Sequence, residues 1–169
     1  MLPAAQALIA ELDAEARITR RVLDRVPADR FDWQPHPKSM TAGQLAQHLA
    51  TTPATAARFV QLDAVDMAGR RFEYPCCADK ASLLAALDAS VSEAREALMN
   101  LDESRARETF RITVGDHEVA AMPRINVMRT IGLNHLIHHR GELVVYLRLL
   151  GVPVPIVYGR SADESPANM

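Results

Sequence analysis

Apolar positions recur every three or four residues over about residues 3–26, where Leu8, Ile9, Leu12, Ala16, Thr19, Val22 and Leu23 stand between charged side chains. That spacing predicts an amphipathic helix. The segment DRFDWQPHPKSM follows, in which Pro35 and Pro37 remove backbone donors and bias the residues before them away from helix. A loop is expected there, with the sole tryptophan, Trp33, folded back onto the core. Thr41 and Gln44 then fit a capping box, and Leu45, His48, Leu49, Thr52, Ala56, Phe59 and Val60 carry a second helical stripe over about residues 41–62. Pro53 falls inside this stripe and lacks the amide hydrogen a helix needs, which predicts a kink or a break near Thr52.

Beyond the loop DMAGRRFEYPCC, Asp79 is placed to cap a third helix running to about residue 101, with Leu84, Leu87, Val91, Ala94 and Leu98 on one face. Residues 109–121 alternate apolar and polar around Gly115 and Asp116, the pattern of a short hairpin or an extended loop. From Pro123 to Leu150 no further proline interrupts a helical pattern that stops at Gly151 and Pro153, giving a fourth helix of about 42 Å. Met128, Ile131, His135, Tyr146 and Leu149 form one apolar stripe, and Leu133, Leu136, Ile137, Leu143, Val144, Leu147 and Leu150 form others. A helix apolar over so much of its circumference belongs at the centre of a bundle or in a dimer interface. The expected organisation is one helical domain over residues 1–158, followed by a polar tail, 159–169, of a composition prone to disorder.

Composition narrows the function classes. With 169 residues and 49% hydrophobic positions the chain suffices for one domain with its own core, so disulfide staples are not needed. Lys and Arg number 19 against 21 Asp and Glu, a formal charge of −2, which supplies no general positive field for nucleic acid. Glu11, Asp13 and Glu15 interrupt the apolar residues near the start in a way that an export signal or membrane span would not tolerate, so a cytoplasmic location without membrane contact is expected. Cys76 and Cys77 are adjacent, a spacing that strains a disulfide and does not match a Cys-x-x-Cys motif; they read as two reduced, idle thiols.

Six histidines, at positions 36, 48, 117, 135, 138 and 139, carry the chemistry. His36 and His117 fall in expected loops and read as solvated. His135 and His139 stand four residues apart on the fourth helix, about 40° apart around its axis, so both rings can meet one ion. His48 occupies a core-facing position on the second helix, where a neutral imidazole needs a partner for each ring nitrogen. Two readings stand side by side: hydrogen-bonded core histidines, with His138 offering an alternative pairing, or a tridentate metal site on two facing helices.

The run HLIHHRGEL, the upstream histidine in QLAQHLA, the loop tryptophan before that helix and the ending YLRLLGVPVPIVYG together resemble the DinB/YfiT-like family of metal-binding helical proteins. The resemblance spans nearly the whole chain. It implies an all-α four-helix bundle in up-down-down-up order, often a homodimer, with a divalent metal held by His48, His135 and His139. Two positions depart from the pattern: Glu142 stands where many relatives have Gln, and Pro53 follows the ligand on the second helix. Glu142 could accept a hydrogen bond from an imidazole or act as a general base, but the favoured expectation is a weak surface ion pair with Arg140.

Three neutral imidazoles leave an ion's charge intact and positions open, as in a reactive site. Members of the resembled family transfer low-molecular-weight thiols such as bacillithiol or mycothiol to electrophiles, so a metal-dependent thiol transferase acting on a small molecule is the leading expectation. Acceptor choice would then rest with the loops near Trp33 and at 103–121. The alternatives are a metal-dependent amide or ester hydrolase, with Glu142 or His138 as base, and a non-catalytic stress-associated metal-binding dimer. Imidazole suits Zn, Ni or Fe, and the sequence does not choose among them.

Overall fold

The computed structural model describes residues 1–71 and 73–165. Helix α1, Pro3–Asp24, starts with proline in its first turn, where the missing amide hydrogen costs nothing, and buries Leu8, Leu12, Thr19, Val22 and Leu23 along one stripe. Glu15 lies on that same buried stripe. A turn at Ala28–Arg30 leads to helix α2, Ala42–Gln61, which begins with the expected capping box: the Gln44 amide hydrogen donates to Thr41 Oγ1 at 3.2 Å, and the Thr41 amide donates to Gln44 Oε1 at 2.9 Å. Asp79 and Ser82 make the same reciprocal cap at the start of helix α3, Lys80–Met99.

Pro53 does not break α2. Side-chain hydroxyls bond the helix backbone on either side of it. The Ala54 amide donates to the buried Ser90 hydroxyl of α3 at 2.9 Å, and the Thr52 hydroxyl donates to the His48 carbonyl at 2.8 Å. A serine on the buried face of α3 is thereby explained.

The chain is mostly helical but not all-α, which corrects the expected fold class. Strand β1, Ala64–Asp66, follows α2; after α3 and the short helix α4, Glu103–Arg107, come strands β2, Thr109–Val114, and β3, His117–Pro123. The strands form one sheet in the order β1-β2-β3, with β1 parallel to β2 and β2 antiparallel to β3. Gly115 opens the two-residue hairpin turn at a φ of +58°, a conformation that favours glycine. The alternation at 109–121 is therefore a hairpin.

The C-terminal helix is composite: α5, Arg124–Val127, a π-helical segment, Met128–Asn134, and α6, His135–Leu149. It packs on α2 and α1, while α3 packs on α2 and α1 from the other side. Two apolar clusters fill the interior. One gathers Leu8, Leu12, Val60, Leu98, Phe110 and Met128, and the other gathers Leu23, Leu45, Leu49, Leu87, Leu136 and Leu143. Each fully buried leucine contributes about 1.5–3 kcal/mol, so these clusters dominate the favourable side of folding. Trp33 packs edge-on against Tyr146, with ring centroids 5.5 Å apart, and so folds back as expected.

Of the C-terminal tail, residues 166–169 lie outside the described residues. Before them Asp163 pairs with Arg148 at 2.6 Å and Glu164 pairs with Arg21 of α1 and with Arg25 at its C-terminal cap. Glu164 also accepts from the Ile156 amide at 2.8 Å, so this part of the tail is tied back on the bundle. No helix among the described residues is long and apolar enough to cross a membrane.

Candidate metal centre

The stripe on α2 and the first two turns of α6 bring His48, His135 and His139 together. His135 Nε2 lies 3.0 Å from His48 Nε2 and 2.6 Å from His139 Nε2. One ligand atom of each ring lies within 4.8 Å of those of the other two. All three residues are half-buried. Among neutral imidazoles each Nε2 is either a donor or a lone pair, so three of them sharing one point cannot all be satisfied by one another. A cation at that point would satisfy every lone pair, and the donor set therefore fits a divalent ion of borderline softness.

Glu142 decides the tautomer of one ring. Its carboxylate lies 2.6 Å from His139 Nδ1, and an ionised carboxylate only accepts, so Nδ1 carries the hydrogen and Nε2 presents its lone pair to the other rings. A carboxylate behind a histidine in this way orients the ring and raises its basicity. The expected surface pair between Glu142 and Arg140 is not formed. Residues two apart on a helix do not face each other, and Arg140 points to the opposite side of α6.

Burial lowers the His48 pKa from 6.5 to about 4, with the charges of His139 and His135 adding to the effect. Burial lowers His135 as well, helped by His139 and His138. Both rings are thereby held in the neutral form that a metal requires. His138 takes a different place: its side chain is 66% exposed and it reaches Glu142 Oε1 at 3.3 Å, outside the triad.

On the far side of α6, Arg140 is 1% exposed and pairs with Glu15 of α1 at 2.6 Å. The guanidinium also donates to Thr19 Oγ1 at 3.2 Å and to the Tyr158 hydroxyl at 2.8 Å, and it lies over the Tyr158 ring. This buried pair locks α6 to α1 one residue after His139. Sequence reading missed it, although Glu15 falls between Leu12 and Thr19 on the apolar stripe, and an acid at such a position is the signal of a buried partner.

Beside the triad lies a cavity of about 480 Å³, with His48 and His135 in its wall. Thr51, Thr55 and Phe59 continue the wall along α2, and Ile131 faces them from the π-helical segment. Met67 and Ile112 come from the sheet region, and Glu73, Tyr74 and Pro75 from the loop before α3. The Tyr74 ring meets His48 edge-on at 5.6 Å between centroids. Of the loops expected to choose the acceptor, 103–121 supplies Ile112, whereas Trp33 does not line the cavity. The 73–75 loop was not anticipated.

Cys76 and Cys77 are free thiols next to this loop in sequence. Burial, then the neighbouring Cys76, pushes the Cys77 thiol up to about 11, so it stays protonated and unreactive at neutral pH.

Solved structures with the same architecture include a DinB-like protein from Bacillus cereus, with a TM-score of 0.70 and 20% identity over 90% of this chain and 97% of that one. A member of the family from Exiguobacterium sibiricum aligns at 0.66 and 21% identity, covering 92% of this chain and 97% of its own. A DinB-like protein from Bacillus subtilis aligns at 0.66 and 17% identity, covering 91% and 99%. At these identities the likeness speaks for the fold alone. No curated protein matches the chain by sequence. The sequence profile of the DinB family matches residues 1–168, and the chain belongs to that family.

Proposed function

We infer that the protein is a metal-dependent thiol transferase, with His48, His135 and His139 holding a divalent ion and the adjoining cavity receiving the acceptor. The observation that carries this reading is that the three Nε2 atoms converge beside a cavity, with His48 and His135 in its wall, instead of inside a sealed core. A divalent ion held by three neutral imidazoles keeps open positions and favours thiolate over thiol near neutral pH. The chain's own residues supply the rest. Glu142 keeps the His139 lone pair turned inward, the Arg140 and Glu15 pair fixes the rotation of α6, and the apolar walls exclude water from the acceptor. In the overall reaction the thiol exchanges its S–H bond for an S–C bond. The acceptor's leaving group departs with the electron pair of the broken bond, and the thiol proton passes to water.

Hydrolysis with Glu142 as base is the weaker reading, since this carboxylate is already engaged on the Nδ1 side of His139, turned away from the triad. His138, exposed and held by the same carboxylate, is not favoured as a base either.

A single bundle domain over residues 1–158 in up-down-down-up order belongs to the same reading. Contact directions support the order: Asp13 and Arg20 of α1 meet Arg95 and Asp88 of α3 in opposite sense, whereas Ala54 and Arg58 of α2 meet Ser90 and Glu93 of α3 in the same sense. Glu11 and Glu15 of α1 meet Arg129 and Arg140 in the same sense. A homodimer is supported by Val145 and Leu149, 56% and 61% exposed one turn apart on α6.

Elemental mass spectrometry on untagged protein, wild type beside His135→Ala, is the first test. Near-stoichiometric metal lost in the variant, with thiol consumed in step with an electrophile only by the loaded protein, is the expected result. A wild-type chain that stays metal-free after incubation with Zn, Ni and Fe would overturn the reading, and acceptor turnover without thiol would replace it by a hydrolase.

A further inference from the structure

The lining of the cavity has a chemical bias. Its apolar surface comes from Phe59, Met67, Ile112 and Ile131, and Phe59 is itself stacked on Phe110 at 5.8 Å between centroids. His48 to Phe59 along α2 is a rise of roughly 16 Å, so the space is long enough for an extended molecule. A volume of about 480 Å³ falls within the range of small-molecule sites.

Away from the two histidines, the polar groups along this slot offer more acceptors than donors. The Thr51 hydroxyl already donates to the Gln47 carbonyl at 3.0 Å, and the Thr55 hydroxyl donates to the Thr51 carbonyl at 3.2 Å. Each hydroxyl has one hydrogen, so what remains for a ligand is oxygen lone pairs. Glu73 adds a carboxylate at the exposed mouth. Neutral donors come from Gln47 and Tyr74, and no lysine or arginine is among the described residues that line the cavity. An anion entering here would lose its hydration and meet a carboxylate and hydroxyl lone pairs in return.

We propose that this cavity binds an uncharged, extended, largely apolar molecule carrying a hydrogen-bond donor such as an amide N–H or a hydroxyl, and rejects carboxylates and phosphates of the same shape. The inference rests on the transferase reading only in naming that molecule as the acceptor. Its chemistry follows from Thr51, Thr55, Glu73 and the apolar walls.

Octanamide and octanoate are nearly isosteric and differ in donor and charge, so they serve as probes. Calorimetric titration of both is carried out on metal-loaded and on metal-stripped protein, and the stripped protein decides, because no ion is there to attract a carboxylate. Octanamide should bind at least about tenfold tighter than octanoate. Shortening the amide should weaken it by about fourfold per methylene removed. Thr55→Arg, which places a cation in the slot, should abolish octanamide binding and admit octanoate. Glu73→Gln, at the exposed mouth where folding is not at stake, should narrow the preference by strengthening octanoate.

Equal or tighter octanoate binding in the stripped protein, no binding of either probe, or unchanged octanamide affinity in both variants would overturn the proposal. Any of these would leave the metal reading intact. The reverse result, a chain that takes up no metal yet prefers octanamide, would keep the cavity assignment and remove the transferase.

Discussion

Two polar clusters flank α6, and they are built on opposite principles. On the side of α1, Arg140 and Glu15 are both buried, and the guanidinium is further satisfied by Thr19 and Tyr158. That cluster is closed: its charges are matched within the protein. On the side of α2, His48, His135 and His139 bring three ring nitrogens to one point, where they cannot all satisfy one another. That cluster is open, and a cavity adjoins it. The same helix thus carries a structural anchor on one face and a coordination site on the other. Rigidity on the first face is what makes the geometry of the second repeatable.

Breaking the closed cluster should have the largest effect. Arg140→Met leaves Glu15 buried without its partner and should cost about 3–5 kcal/mol in urea unfolding, whereas adding Glu15→Gln should restore much of that loss. A double variant no more stable than Arg140→Met would show that the pair is not the source of the loss.

Breaking the open cluster should act on metal instead of on the fold. His135→Ala and His139→Ala should each lose most of the bound metal, more than the roughly hundredfold weakening that losing an orienting partner brings, while the metal-stripped variants unfold within about 1 kcal/mol of stripped wild type. His48→Ala should lose metal to the same degree. His138→Ala should keep it, because this ring lies outside the triad. Retention of metal by His135→Ala together with its loss in His138→Ala would reverse the ligand assignment.

Glu142→Gln tests the link between ring orientation and affinity. The amide can still accept from Nδ1 but carries no charge, so metal affinity should fall by about 10-fold to 100-fold with little change in stability. Unchanged affinity in metal titrations would make Glu142 a surface residue after all.

A further effect is on pH dependence. In metal-stripped protein His48 titrates near 4 in the folded state, below the ordinary 6.5 of the unfolded chain. Between those values the unfolded chain binds the extra proton, so stability should fall as pH drops from 6.5 to about 4, and this contribution should flatten below that. Urea unfolding at several pH values should show the slope, and His48→Gln should remove its part of it.

Much of this was legible along the chain. The caps at Thr41 and Asp79, the stop at Gly151 and the hairpin around Gly115 are local signals, read from residues within a few positions of one another. The pairing of His135 with His139 was legible too, because they share a helix face, while joining His48 to them rested on the family resemblance. Strand β1 was not, since three residues pair with β2 only after the chain has gone through α3. Nor was the passage of α2 through Pro53, which depends on Ser90 of another helix. Glu142 was given the wrong partner for a geometric reason: Arg140 is two residues away on the helix, whereas His139 is three away and shares its side.

Periodicity by itself therefore determined the long helices, most of their ends and the shared face of His135 and His139, because these depend on a repeat of 3.6 residues and on caps within one turn, while the resemblance added His48 to that pair. Tertiary packing decided what surrounds those histidines. The Glu15 partner of Arg140, the loop carrying Glu73 and Tyr74, and the cavity between α2, the sheet and the C-terminal helix each join residues far apart in the chain. Pairings of that kind are set by how whole faces pack and which buried charges find a partner, and no local repeat encodes them.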